Sequence, residues 1–95
     1  MTTEQIEKIK YRLEVLEYMN SSVTHPYKFK DVKMYQDDLG NLFLYYVSIN
    51  EVDKTPTYMY VEYDFAGNET VLNKDEGFTI EELKTMFLSL KPFEL

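Results

Sequence analysis

Ninety-five residues amount to one domain, with room for a single core and not for two. Hydrophobic residues make up 44% of the chain and aromatics 16%, which argues against disorder, and the lack of cysteine excludes disulfides, thiolate metal sites and a cysteine nucleophile. The net charge of −7 is concentrated in residues 37–95, where twelve acids meet four lysines, so contact with nucleic acid or an anionic membrane is disfavoured and a protein partner with a basic surface is favoured.

The same acidity also serves solubility without any partner. Met1 to Gln5 show neither the basic nor the apolar part of a secretory leader, and no apolar run reaches bilayer-spanning length. A cytoplasmic protein is therefore expected. One alanine and one arginine stand against nine tyrosines and nine lysines. That bias fits AT-rich coding, as in a low-GC bacterium or a phage within one, where the setting would be the host cytoplasm.

The first predicted element is a helix from Thr3 to Met19. Thr2 with Gln5 three residues on forms a capping box. Ile6, Ile9, Leu13 and Leu16 recur at steps of three and four and draw one apolar stripe, read as packing on a sheet in preference to a coiled-coil seam. Glu4 with Lys8, and Lys10 with Glu14, are spaced to pair on the wet face. Asn20-Ser21-Ser22 ends the helix.

Four strands follow. Tyr27 to Gln36 carries Tyr27 and Phe29 on one phase and Val32 and Met34 on the other, which predicts a bulge near Lys30-Asp31. The turn Asp37 to Asn41, with Gly40 or Asn41 at positive φ, leads to a strand from Leu42 to Val52. Asp53 to Pro56 turns the chain into a strand from Thr57 to Phe65. Ala66-Gly67-Asn68 leads to a short strand from Glu69 to Asn73. Connections this short require antiparallel neighbours, hence a four-stranded meander. A second helix opens on Thr79 and Glu82 as a capping box, with Phe78 and Leu83 as its staple. Leu83, Met86, Phe87 and Leu90 form its buried stripe and Pro92 stops it. The fold class is α+β: one domain, an N-terminal helix, a four-stranded antiparallel meander and a C-terminal helix.

No catalytic pattern is present. The single histidine, His25, precedes Pro26 and has no carboxylate placed in sequence to orient it, so it reads as a loop residue packed beside Pro26. Asp37-Asp38, Asp75-Glu76 and Glu81-Glu82 sit in turns or at a helix start, where solvent keeps both carboxylates ionised. Asn73 to Gly77 precedes a helix, but its glycine falls at position 5 of a calcium loop that needs it at 6. No glycine-rich phosphate cradle occurs. No cofactor, no metal and no enzyme activity are expected.

What remains is tyrosine. In the third strand Met59, Val61, Tyr63 and Phe65 share one face, and Tyr58, Tyr60, Glu62 and Asp64 the other. In the second strand Phe43, Tyr45, Val47 and Ile49 share one face, and Leu42, Leu44 and Tyr46 the other. The first set of each strand is expected to face the helices as core. The second sets are expected to join into a tyrosine and leucine patch edged by acid, with Tyr46, Tyr58, Tyr60, Glu62 and Asp64 as candidate partner-binding residues. The competing reading is that the two helices cover opposite faces of the sheet, or that tyrosine simply suits a half-exposed strand.

The functional expectation is a non-enzymatic, acidic protein-binding module, monomeric or homodimeric. An inhibitor or antagonist of the phage or mobile-element type, docking on a larger basic protein, suits its size and charge. Two alternatives stand beside it: a DNA-mimic inhibitor that occupies the groove of a nucleic-acid-binding enzyme, and a homodimeric adaptor with no inhibitory role.

Overall fold

The computed structural model describes residues 1–72 and 79–95. The chain runs α1 (Thr3–Ser21), β1 (Tyr27–Gln36), β2 (Leu42–Asn50), β3 (Pro56–Tyr63), β4 (Glu69–Leu72), α2 (Ile80–Leu88) and β5 (Lys91–Pro92). All the strands are antiparallel and lie in the order β4-β3-β2-β1-β5. The predicted α+β class holds, with five strands in place of four. Phe78 of the predicted staple, the carboxylate pair Asp75-Glu76, the calcium-loop segment 73–77 and the predicted last residue of the fourth strand lie outside the described residues.

The capping box closes as its spacing predicts. The Gln5 backbone N–H donates to Thr2 Oγ1 at 3.2 Å, and the Thr2 N–H donates to Gln5 Oε1 at 2.8 Å. Ile9 and Leu16 are buried, with Ile6 and Leu13 packed beside them, so the apolar stripe meets the sheet. Burial of each such side chain contributes roughly 1.5–3 kcal/mol. At the other end Asn20 grips β1: the Phe29 N–H donates to its Oδ1 at 2.7 Å, and its Nδ2 donates to the Phe29 carbonyl at 2.9 Å. The i,i+4 pairs expected on the wet face do not close. Among the described residues the ion pairs are Arg12–Glu69 and Lys54–Glu51.

The predicted bulge is present. Lys30 pairs with Val47 and Lys33 with Tyr45, so Asp31 and Val32 together oppose Tyr46, and Asp31 takes a φ of 56°. The extra residue brings Phe29 and Met34 onto the same side of the sheet, where both pack against the main core.

Both β1–β2 and β3–β4 close with the same turn, Asp-x-x-Gly-Asn, a repeat that the sequence reading missed. Asp37 Oδ1 accepts from the N–H groups of Leu39 and Asn41, and its Oδ2 accepts from Asn41 Nδ2. Asp64 does the same with Ala66, Asn68 and Asn68 Nδ2. Gly40 and Gly67 occupy the left-handed position, with φ of 88° and 82°. Asp64 thus ends β3 at Tyr63, short of the predicted Phe65. At the other end of the sheet Asn50 ends β2 short of Val52: its Oδ1 accepts from the Val52 N–H and its carbonyl from the Lys54 N–H.

The fifth strand is the clearest departure at the C-terminal end. α2 stops at Leu88, short of the predicted last turn at Lys91, and the chain then turns to lay Lys91 and Pro92 against Gln36 and Tyr35. The Phe93 N–H donates to the Met34 carbonyl at 3.0 Å and the Phe93 ring packs on the main core. Two residues are too short to show alternation, and a proline reads as a stop signal; on an edge strand its missing N–H faces away from the ladder and costs nothing.

The register between β2 and β3 decides the two faces. Leu42, Leu44 and Tyr46 stand opposite Tyr63, Val61 and Met59 on the α1 side. Phe43, Tyr45 and Val47 stand opposite Glu62, Tyr60 and Tyr58 on the α2 side. The helices therefore cover opposite faces, and the predicted union of Leu42, Leu44 and Tyr46 with Tyr58, Tyr60 and Glu62 does not form. Alternation within each strand was read correctly. The β2–β3 turn joins the phases the other way, because a shift of one residue in register moves every side chain to the other face.

Candidate functional site

The five residues singled out from sequence are distributed over three places. Tyr46 is 3% exposed on the α1 side, where its hydroxyl accepts from Arg12 Nη1 at 3.0 Å. Tyr60 is equally buried on the α2 side, with its ring 4.6 Å from that of Phe87 and 5.1 Å from that of Tyr45. Tyr58 and Glu62 are half-buried on that side. Asp64 lies at the end of the sheet with its carboxylate engaged in the turn. α2 accounts for the loss of the expected patch: Phe87 lies edge-on to Tyr35, Phe43 and Tyr60, and Leu83 is fully buried beside them. Burial, then the neighbouring tyrosines, raise the pKa of Tyr45 and Tyr60, so these hydroxyls stay neutral.

The turn end of the sheet gathers acid. Burial first, then Asp37 and Asp64, push the Glu62 carboxyl above its ordinary value. A folded pKa raised above the unfolded one means stability that is present at low pH and lost as pH rises through the folded value. Glu62→Gln is therefore expected to stabilise the protein at pH 7, by no more than about 0.5 kcal/mol because solvent screens a half-exposed group. The gain should vanish near pH 3. Urea midpoints at the two pH values measure it, and a gain that persists at pH 3 contradicts the electrostatic cause.

The α1 side carries a different constellation. Arg12, the chain's single arginine, holds Glu69 of β4 with two hydrogen bonds, from Nε at 3.1 Å and from Nη2. The buried Tyr63 hydroxyl donates to Glu69 Oε2 at 2.8 Å. Burial works against the charge on each partner, yet these hydrogen bonds prevail, raising the pKa of Arg12 and lowering that of Glu69. Burial and the Glu69 contact raise the Tyr63 phenol. The ion pair forms part of the wall of a groove of about 370 Å³ between α1 and the sheet, lined also by Tyr11, Val15, Met19, Phe29 and Tyr46.

Tyr11 rises from the wall of this groove and Tyr18 stands two turns further along α1, 68% and 78% exposed, with the half-buried Val15 between them. Their positions, i, i+4 and i+7, lie on one helix face. The spacing is visible in the sequence, but the stronger stripe at Ile6, Ile9, Leu13 and Leu16 concealed it. Among the described residues no group of three or more histidines, aspartates and glutamates is arranged to hold a metal, and no helix is long and apolar enough to cross a membrane. His25 Nδ1 accepts from the Tyr27 N–H at 3.1 Å, and its ring lies 6.2 Å from those of Tyr27 and Phe29. No family model matches this chain, and neither a curated protein nor a solved structure matches it.

Proposed function

We propose that this chain is a non-enzymatic protein-binding module whose docking surface is the outer flank of α1 with the groove beside it. One observation carries the reading: α1 buries one apolar stripe in its own core and carries a second, Tyr11-Val15-Tyr18, whose two tyrosines stand in solvent. Large aromatic rings at a helix surface leave apolar area in water, and tyrosine is enriched among the residues that anchor interfaces. The net charge of −7 favours a basic partner. In this reading the chain acts by occupying that partner's surface, as an inhibitor or antagonist does.

The experiment places a photo-crosslinking phenylalanine analogue at position 11, and separately at position 58 on the opposite face. A discrete adduct from position 11, identified by mass spectrometry and reproduced with the purified partner, is the expected result. An adduct from position 58 alone moves the surface to the α2 side and overturns the assignment. The convergence of Asp37 and Asp64 on Glu62 favours a second reading, mimicry of a phosphate backbone. That reading requires crosslinks from the turn end of the sheet and competition by DNA. A homodimeric adaptor requires a two-fold mass in sedimentation at micromolar concentration.

A further inference from the structure

Resting on the protein-binding reading above, we infer that the element docking on α1 is an amphipathic helix with a basic flank. Residues 4, 8, 11, 15, 18 and 22 alternate steps of four and three, the spacing of a heptad seam. Lys8, Tyr11, Val15 and Tyr18 occupy its centre. The inner seam of the same helix, Ile6 to Leu16, is filled by the sheet, so α1 has one seam occupied and one open. The backbone N–H and C=O groups along the middle of α1 are used within the helix, so its flank offers no ladder to an extended strand. A helix needs none: its side chains enter the holes between those of α1. The groove over Phe29 and Tyr46 is such a hole, with volume enough to seat a large apolar side chain.

Charge selects the partner. At about 100° per residue, Glu7 and Glu14 fall beside Tyr11 and Tyr18 on the flank turned away from the groove. Both are exposed, and neither is in an ion pair among the described residues. A second copy packed antiparallel on the same seam would set that flank against its own equivalent, bringing Glu7 and Glu14 of one copy to those of the other. Like charges then oppose the pairing. A helix with lysine or arginine on its flank meets the two glutamates with opposite charge and inserts its apolar stripe along Tyr11, Val15 and Tyr18.

The test uses a synthetic helical peptide of about three heptads, leucine at the seam and lysine on the flanks, titrated into labelled protein and followed by amide chemical shifts. Saturable shifts confined to residues 8–19 and the groove are expected. Tyr11→Ala and Tyr18→Ala should each raise Kd about tenfold. Glu7→Lys with Glu14→Lys should reverse the preference in favour of a glutamate-flanked peptide. Equal binding of a scrambled or proline-interrupted peptide of the same composition overturns the helical occupant, as do shifts centred on residues 37–64. Shifts at the seam on concentrating the protein alone assign the site to a second copy and overturn it too. If position 11 still crosslinks to a partner while the helical peptide fails to bind, the docking surface stands and the helix does not.

Discussion

Gln5→Glu is expected to cost about 3–5 kcal/mol at pH 7, in a chain whose whole stability is of the order of 5–14 kcal/mol. Gln5 is wholly buried, and its side chain is used at every polar position the site offers. Nε2 donates to the Gly40 carbonyl at 2.9 Å and to the Tyr63 carbonyl at 3.1 Å, while Oε1 accepts from the Thr2 N–H. One side chain thus caps α1, ties it to the β1–β2 turn and secures the end of β3. A carboxylate there can keep the bond from Thr2, but its second oxygen faces two carbonyl oxygens with no proton to offer. The folded state then raises that carboxyl's pKa. By linkage the variant is least impaired below the unfolded value of about 4.3 and loses stability as pH rises through its folded value. Gln5→Leu keeps the volume but takes the side-chain partner from three backbone groups, for about 2–3 kcal/mol at any pH. Urea unfolding at pH 4 and pH 7 separates the two. A glutamate variant as stable as the wild type at pH 7 contradicts the contacts assigned to Gln5.

The repeated Asp-x-x-Gly-Asn turn supplies the second expectation with its own control. Gly67→Ala should destabilise by about 2–4 kcal/mol and Gly40→Ala by only about 1–2. Both glycines sit at positive φ, so both pay the left-handed penalty of an L residue. They differ in what a methyl group would meet. At Gly67 it comes within 3.0 Å of Glu4 Cβ, 3.2 Å of the Glu4 carbonyl oxygen and 3.3 Å of its carbon, in the first turn of α1. That backbone is held by the capping box and cannot yield locally. At Gly40 the methyl meets the ring of Phe65 at 2.7 Å, a half-exposed side chain that can swing aside. The comparison is read from urea midpoints of the two variants. Equal losses would mean that the first turn of α1 is not rigidly docked on the β3–β4 turn.

The parts of the fold legible in sequence are those that a few consecutive residues decide. Thr2 with Gln5 announces the start of α1, Thr79 N-caps α2 by accepting from the Glu82 N–H at 3.1 Å, and the phase switch between Phe29 and Val32 marks the bulge. Two outcomes were less legible. Lys91 and Pro92 become a strand only because Tyr35 and Gln36 present a free edge to them. Tyr60 reads as a surface tyrosine until α2 brings Phe87 onto it. The surface proposed for binding was hidden for a further reason. A helix with two apolar stripes has a weak overall amphipathic pattern, and only the docking of one stripe on the sheet reveals the other as unused.

By itself the sequence determined the helix caps, the alternation within each strand, the turns and the acid excess, because each depends on composition or on contacts within about four residues. Tertiary structure alone decided which face of β2 joins which face of β3, that Gln5 ties three elements together, and that Tyr11 and Tyr18 stay in solvent. Register depends on how the chain closes between strands, and one residue of slip exchanges the two faces. Burial depends on what arrives from elsewhere in the chain. The tyrosines that look free on a lone strand are covered, and the ones that look incidental on a helix are left exposed.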